Sequence, residues 1–283
     1  MARQPRVKAK ADLATIWGVV IAGTGILGGL LLEGGHIQDI AQLTAAFIVL
    51  GGTLGAVMVN TPLPILSGAM KRFRHVIFDR IGSPDSLTDE IIAYATKARK
   101  NGLVSLEHDA EKVLDPFLKK VLNLAVDGAD IQDIRKMMDL QIDIEEQYAM
   151  AEARVFESAG GYSPTIGIIG AVLGLIQVMK NLANIDQVGH GIAVAFVATV
   201  YGVALANIFL LPAANKMKTR IRQDTQRKEL ILEGVAGIVE GLNPKIIRSK
   251  LEAYRCSEPV VKKPAGRPVQ PVSQPAAPVS RPA

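Results

Sequence analysis

The sequence contains very little of the chemistry that enzymes and disulfide-stabilised proteins use. Its one cysteine, Cys256, has no second cysteine to pair with and no neighbouring histidine to activate its thiol. The four histidines are scattered, and the chain has no glycine-rich phosphate loop, no metal-ligand spacing and no Ser/His/Asp set. We therefore expect no catalytic residues, no cofactor and no bound metal.

Charge is missing from four long stretches of the chain. A helix needs about 20 apolar residues to cross a hydrocarbon core about 30 Å thick, and each stretch reaches that length. We therefore predict an all-α membrane protein with four transmembrane helices. The stretches without Asp, Glu, Lys or Arg run from Leu13 to Leu32, Ile40 to Met70, Ser158 to Met179 and Gln187 to Asn215.

Basic residues cluster on one side of these spans. Four Lys or Arg residues precede the first span, four follow the second and six follow the fourth. The first short link has none, and the second has only Lys180. Because Lys and Arg are enriched on the cytoplasmic side of membrane proteins, we expect both termini and the segment between spans 2 and 3 in the cytoplasm. The two short links then face outward.

The uncharged stretches divide the chain into six regions. Pro62 and Pro64 predict the end of the second helix, since proline removes a backbone donor. The insertion is predicted to be helical, with one helix from Ser86 to Gly102 and another that starts near Ile131 and runs into the third span. The regions are an N-terminal tail (1–12), spans 1 and 2 (13–70), a cytoplasmic insertion (71–157), spans 3 and 4 (158–215), a C-terminal helix (216–256) and a Pro-rich tail (257–283).

The cytoplasmic extensions of spans 3 and 4 are expected to pack on each other below the membrane. Ile221, Leu232 and Val235 belong to an apolar stripe on a helix that continues from the fourth span. The tail is rich in Pro, Ala, Val and Ser, and it buries too little apolar surface to offset the entropy of ordering. We therefore expect a disordered tail, with a polyproline docking site as the alternative.

The third and fourth spans differ from simple lipid-facing helices. Gly167, Gly170 and Gly174 recur at three- and four-residue spacing, which lets helix backbones approach closely. For a single membrane threonine, a hydrogen bond to a carbonyl of its own helix is the simpler role. The polar residues available to line a path are Ser163, Thr165, Thr199, Tyr201 and Asn207.

No acid lies within any of the four spans. A charge at the bilayer centre costs about 3 kcal/mol or more, so intramembrane acids are rare and usually functional. If the protein moves protons or sodium, the carboxylate that carries the ion must therefore belong to another chain. A membrane scaffold that conducts nothing is the alternative.

Several long motifs resemble the MotA flagellar stator family. They are LEGGH at 32–36, IVLGGTLGA at 48–56, ARKNGLVSLE at 98–107, GGYSPTIGIIGAVLGLI at 160–176 and GIAVAFVATVYGVALAN at 191–207, followed by LPAANK. The resemblance runs from about residue 13 to residue 242. TolQ and ExbB proteins belong to the wider group, but their smaller number of spans fits this chain less well.

The resemblance implies a subunit of an ion-driven torque generator in the bacterial inner membrane. In that family a pentamer surrounds two single-span MotB partners, which carry an ion-binding aspartate and anchor to peptidoglycan. Ion flow drives rotation of the outer ring, and the cytoplasmic insertion contacts the rotor switch protein. A TolQ/ExbB-like energiser of envelope transport is the nearest alternative function.

The resemblance also implies roles for individual residues. Arg99 and Glu107 match the charged pair that contacts the rotor. Pro164 matches the proline at the cytoplasmic start of the third span, and Pro212 matches the one at the end of the fourth. Because proline kinks a helix, both are predicted hinges. Thr199 matches the pore threonine.

The third-span motif departs from the family pattern at Ala171, where the family usually has threonine. A sodium ion is held by several oxygen ligands, whereas a proton needs only an acid and a path of water or hydroxyls. Losing one hydroxyl therefore weakens a sodium site more than a proton site. We predict proton drive, with Thr199, Thr165 and Tyr201 on the ion path beside Ala171.

Overall fold

The structure, a computed structural model, describes residues 10–11, 13–79 and 84–255. The predicted disordered tail and Cys256 therefore lie outside the described residues. Two short strands, β1 (Lys10–Ala11) and β2 (Phe78–Asp79), pair antiparallel with Lys10 opposite Asp79. All other regular structure in the described ranges is helical.

Eleven α-helices make up most of the described chain. One 3-10 turn at Leu103–Leu106 and one π-helical segment at Leu205–Leu210 complete the set. The helices are α1 (Leu13–Leu32), α2 (Ile37–Ile40), α3 (Leu43–Asn60), α4 (Leu63–Ile77), α5 (Pro84–Asn101), α6 (Glu107–Lys112), α7 (Pro116–Val126), α8 (Ile131–Lys180), α9 (Ile185–Ala204), α10 (Leu211–Val239) and α11 (Pro244–Arg255).

Four helical stretches are long and apolar enough to cross a membrane. They are α1, α3, α8 and the continuous stretch Ile185–Val239, which joins α9, the π-helical segment and α10. The helical insertion between spans 2 and 3 comprises α4 to α7 and the first half of α8. The predicted fold class, an all-α membrane protein with four spans and a helical insertion, is therefore confirmed.

The second uncharged stretch forms two helices rather than one. α3 ends at Asn60, and Thr61 has an extended backbone. Pro62 ends the span as predicted, and its carbonyl accepts the first hydrogen bonds of α4. Pro64 does not end a helix, because it lies in the first turn of α4, where a missing N–H leaves no helical bond unmade.

α8 is a single helix of 50 residues. At 1.5 Å per residue it is about 75 Å long, which exceeds the thickness of a bilayer. It begins where the sequence predicts, at Ile131, because Asp130 caps it by accepting a hydrogen bond from the Gln132 N–H at 2.8 Å. The Gly160–Gly161 pair does not interrupt the helix. The prediction of one helix running into the third span is confirmed.

α8 and α9 approach each other backbone to backbone. A Cβ added at Gly167 would lie 2.8 Å from a carbonyl oxygen of α9, and one added at Gly202 would lie 2.6 Å from the Ser163 carbonyl oxygen. Nearer the outer ends, a Cβ added at Gly174 would lie 2.9 Å from the Gly191 carbonyl oxygen. These four glycines form what we call the glycine seam. Such packing replaces the hydrophobic effect as the force between helices in lipid.

The part of the protein outside the four spans has its own apolar core. Fully buried side chains from α5, α7, α8, α10 and α11 form one cluster, so the insertion and the C-terminal helices fold together. Closer to the membrane, Ala149 and Ala153 of α8 pack on Met217 and Ile221 of α10. The predicted packing of the two extensions is confirmed. The C-terminal region is two helices, because the chain turns at Gly241, which has a φ of 70°.

Ion pairs join α8, α10 and α11 around this core. Arg135 donates to Glu233 at 2.7 Å and lies 3.6 Å from Glu240, while Lys250 lies 3.0 Å from Glu233. Burial opposes the charge on Glu233, but hydrogen bonds from Arg135 and Lys250 outweigh it and hold the pKa of Glu233 below its usual range. Single pairs of this kind contribute about 1 kcal/mol or less, so the apolar core dominates the stability of this region.

The glycine seam generates a prediction about stability. Gly202→Ala places a methyl group against the Ser163 carbonyl, and overpacking of this kind costs about 1–3 kcal/mol. Gly161→Ala is the matched control, because a Cβ at that position of α8 meets nothing within 4 Å. We expect Gly202→Ala to melt at a lower temperature in detergent than both the wild type and Gly161→Ala. Equal melting temperatures for the two variants would contradict the seam.

Candidate functional site

The first candidate region is the turn between α5 and α6, residues 97–109, which we call the corner. α5 ends at Asn101, and the next residue, Gly102, has a φ of 80°, a left-handed conformation that suits glycine. The 3-10 turn Leu103–Leu106 follows, and α6 begins directly at Glu107. Ser105 stabilises the turn, because its N–H and its hydroxyl donate to the Gly102 carbonyl at 3.2 and 2.7 Å.

Arg99 and Glu107 lie on either side of this turn, and both are exposed. Neither joins an ion pair within the described part of the chain. Lys97 and Asp109, each two residues further from the turn, do pair, with 2.6 Å between Nζ and Oδ2. This pair bridges α5 and α6, and the packing of Ala95, Leu106 and Ala110 in the apolar core holds the same two elements together. Both predicted contact residues therefore share one surface corner.

Tyr94 adds a half-buried polar group beside the corner. Its hydroxyl donates to Glu90 at 2.8 Å. Burial raises the pKa of Tyr94 above its ordinary value, and the hydrogen bond to Glu90 and the charges of Glu90 and Asp109 raise it further. The phenol therefore stays protonated at neutral pH and keeps its bond to Glu90.

The second candidate region is the level of the membrane at which Ser163, Pro164 and Gly202 meet. Ser163 is fully buried, and its hydroxyl donates to the Gly202 carbonyl at 2.9 Å. A Cβ added at Gly202 would also lie 3.3 Å from the Cα of Pro164. The sequence placed Ser163 among residues available to line a path. The structure instead uses it inside the α8–α9 interface, where its hydroxyl joins the two helices.

The two predicted path threonines donate within their own helices. The Thr165 hydroxyl donates to the Tyr162 carbonyl at 2.7 Å, and the Thr199 hydroxyl donates to the Ala195 carbonyl at 3.3 Å. Each hydroxyl oxygen still has lone pairs with which to accept a hydrogen bond. Thr165 is exposed and Thr199 is half-buried. Thr165 is therefore the more accessible of the two to a partner chain or to water.

Tyr201 connects the fourth span to the short link between spans 1 and 2. Its hydroxyl donates to the carbonyl of Ile40, the last residue of α2. Ala171 is half-buried on α8 and supplies no polar side-chain atom. Within the described chain, no hydrogen bond joins any two of the four predicted path residues, Thr165, Ala171, Thr199 and Tyr201.

Both predicted hinge prolines lie at irregular points of long helices. Pro164 is inside α8, where it cannot donate to the Gly160 carbonyl four residues earlier. Pro212 is the second residue of α10, and only Leu211 separates it from the π-helical segment Leu205–Leu210. Prolines and π-helical turns are both places at which long helices kink. In the sequence, the one sign of an irregularity near the π-helical segment is Pro212, a proline in the middle of a long helical stretch.

Thr53 is a polar residue of the spans that the sequence analysis did not select. It is 5% exposed, and its hydroxyl has no hydrogen-bond partner among the described residues. Val49 and Val57, one turn to either side, pack on α9 and α8 respectively. An unpaired buried hydroxyl costs about 1–3 kcal/mol. A threonine in an apolar run gives no indication of the direction in which it points, so sequence reasoning could not find it.

The described residues contain no group of three or more His, Cys, Asp or Glu side chains that could hold a metal ion. The chemistry available in the candidate regions is therefore that of hydroxyls and backbone carbonyls in the membrane and of exposed charges at the corner.

The chain is similar to known proteins over most of its length. Residues 109–230 match the MotA/TolQ/ExbB proton channel family, and residues 16–99 match the family described as Motility protein A N-terminal. The chain is 35% identical to Motility protein A of Bacillus subtilis (strain 168), covering 86% of this chain and 90% of that protein. It is 30% identical to the chemotaxis protein PomA of Vibrio alginolyticus, covering 86% and 95%.

Two solved structures share its fold. The structure of C. jejuni MotAB matches with a TM-score of 0.82 and 32% identity, covering 86% of this chain and 95% of that chain. The flagellar MotAB stator complex from Bacillus subtilis matches with a TM-score of 0.81 and 34% identity, covering 86% and 96%.

Proposed function

This chain belongs to the MotA/TolQ/ExbB proton channel family, and on that premise we propose that it is the A subunit of a flagellar motor stator. The observation that carries the proposal is the likeness to MotAB structures, which extends through the spans and the cytoplasmic helices together. In this role the chain and a MotB-like partner form an ion channel, and the channel converts ion-motive force into torque on the rotor. The family is one of channels rather than enzymes.

The composition of the spans supports a channel in which the ion-binding acid comes from that partner. None of the four spans contains Asp or Glu, so the acid that carries the ion belongs to the partner. The partner we propose has a single span with the ion-binding aspartate and an anchor to peptidoglycan. This chain then contributes the surface along which the ion leaves and enters, with Thr165, Thr199, Tyr201 and Ala171 on the path.

The exposed apolar faces of the spans support a ring of copies. α1 has no buried residue within one chain. Phe47 of α3 is 72% exposed and Phe196 of α9 is 71% exposed. Faces of this kind are covered by lipid and by neighbouring helices. We infer that five copies of the chain surround two partner subunits, and that some of these faces meet the next copy.

The position of the basic residues supports an inner-membrane orientation with both termini in the cytoplasm. The corner then lies on the cytoplasmic side, where the rotor is. Arg99 and Glu107 are exposed there and free of ion pairs within the described chain. They are the residues that we assign to contact with the rotor switch protein. A TolQ/ExbB-like role in envelope transport is less well supported, because residues 16–99 match a family described by motility.

The energy of each step limits how the torque is produced. One elementary charge that crosses the membrane gains about 2.3 kcal/mol per 100 mV. A movement driven by a few kcal/mol must use elements that shift without unfolding. Pro164 and Pro212 supply such elements, since each interrupts the backbone bonding of a long helix. We assign them as hinges that transmit movement from the membrane to the corner.

The first functional prediction concerns the corner. Exposed charges contribute little to folding, so the double variant Arg99→Glu with Glu107→Lys is expected to fold, insert and assemble normally. Its torque should fall severely, because complementary charges set encounter and register between partners. Bead assays with the MotB-like partner, in cells that lack their own stators, measure this. Lys136→Glu, which changes an exposed lysine of α8, is the control. Full torque from the double variant would remove the assignment of the rotor contact.

The second concerns the hinge at Pro164. Pro164→Ala restores an N–H that can bond to the Gly160 carbonyl, so α8 becomes a more regular helix. We expect the variant to assemble at motors but to produce little torque. Pro116→Ala is the control, because Pro116 is the first residue of α7, where the missing N–H costs nothing. Normal torque from Pro164→Ala, with normal recruitment to motors, is the result that contradicts the hinge.

The third concerns the ion. Ala171 lacks the hydroxyl that a threonine would supply at this position of the third span, and a sodium ion is held by several oxygen ligands. Swimming driven by this chain and its partner should collapse when a protonophore is added, and it should not depend on external sodium. Tracking of cells at several sodium concentrations, with and without the protonophore, measures both. Speed that rises and saturates with sodium and survives the protonophore would overturn proton drive.

A further inference from the structure

An exposed apolar side chain lies between the two charges of the corner. Val104 is 69% exposed, whereas Leu106 of the same 3-10 turn is fully buried. Leu103 packs against the same core as Leu106. Residues three apart in a 3-10 turn lie on the same side, so anchoring Leu103 and Leu106 in the core turns Val104 away from it. The exposure of Val104 is thus a consequence of how the turn is anchored.

The backbone under Val104 is held firmly. Gly102 enters the turn with its left-handed φ, and Ser105 bonds twice to the Gly102 carbonyl. The ion pair between Lys97 and Asp109 joins the helix before the turn to the helix after it. A valine side chain also has few rotamers to lose when a partner covers it. Val104 is therefore an ordered apolar contact point rather than part of a loose loop.

The charges on either side of Val104 are of opposite sign. Arg99 and Lys100 lie before the turn, and Glu107 and Glu111 lie after it; all four are exposed. Within the described chain none of these four side chains takes part in an ion pair. A partner that fits this surface therefore presents an acidic group to one edge, a basic group to the other and an apolar group between them. A helix with an apolar residue flanked by charges of opposite sign has this chemistry.

We propose that Val104 is the apolar centre of the docking surface for the rotor switch protein and that it packs on an apolar side chain of a charged partner helix. This inference rests on the proposed function, because the rotor is the occupant to which we commit. In protein interfaces a few residues near the desolvated centre carry most of the affinity, and this centre is more apolar than the rim, where charged groups set encounter and register. The corner has both parts in one rigid turn.

Two β-branched substitutions, one polar and of nearly the same shape and one apolar and larger by a methylene, test the apolar character of this contact. Val104→Thr exchanges a methyl group for a hydroxyl, whereas Val104→Ile keeps the side chain apolar. We expect Val104→Thr to weaken binding of the purified rotor switch protein by about tenfold and to lower torque per stator, while Val104→Ile keeps at least half of both. Leu140→Thr changes an apolar residue of α8 that is 60% exposed, and it serves as the control. Torque is divided by the number of stators at each motor, so that a defect in stator assembly is not mistaken for a defect in rotor contact.

Photocrosslinking in cells identifies the occupant directly. A benzoylphenylalanine at position 104 should crosslink to the rotor switch protein, identified by mass spectrometry, and the same group at position 140 should not. Crosslinking from position 104 to a second copy of this chain, or to no rotor protein, would overturn the inference. So would equal binding by Val104→Thr and the wild type.

The failure of this inference is distinguishable from failure of the proposed function. If Val104→Thr is normal while reversal of Arg99 and Glu107 abolishes torque, the contact is purely electrostatic and only the inference fails. If this chain with its partner restores no motility to cells that lack stators, the proposed function fails as well.

Discussion

The close approach of α8 and α9 is the constraint on which the rest of the structure depends. Helices in lipid gain nothing by leaving water, so their association relies on packing. At the glycine seam the neighbouring atoms are largely backbone, and a change of rotamer cannot make more room. The two helices therefore have one register, which places the Ser163 hydroxyl against the Gly202 carbonyl and Pro164 at the same level. Pro164, where the backbone bonding of α8 is interrupted, is consequently held beside Gly202 of α9.

The length of α8 and α10 extends this constraint beyond the membrane spans. The two helices leave the membrane and stay packed through Ala149, Ala153, Met217 and Ile221. Further along, α10 packs on α5 so closely that a Cβ added at Gly234 would lie 2.8 Å from the side chain of Ile91. α5 then leads directly into the corner. A contiguous series of packed helices thus connects the membrane level of Pro164 and Gly202 with the surface that carries Arg99 and Glu107.

Features that depend on local chemistry could be predicted from the sequence, and features that depend on a neighbouring helix could not. The bounds of α1, the end of α3 before Pro62 and the start of α8 follow from missing charge, a missing N–H and a capping aspartate. By contrast, Ser163 and Thr53 read alike as small polar residues in apolar runs. Only the packed fold distinguishes the hydroxyl that joins two helices from the hydroxyl that lacks a partner. The pairing of Lys97 with Asp109 likewise depends on how the corner folds, since the sequence offers many pairs of opposite charge.

The π-helical segment Leu205–Leu210 sets the angular phase between the two halves of the last long helix. A π-helical turn accommodates one residue more than an α-helical turn, and one residue corresponds to a rotation of about 100° around the helix axis. The face of α9 that packs in the glycine seam and the face of α10 that packs on α8 and α5 are therefore offset by this segment. A one-residue deletion between Leu205 and Leu210 would preserve every apolar side chain on either side of it. It would nonetheless turn α10 away from the faces of α8 and α5 on which it packs.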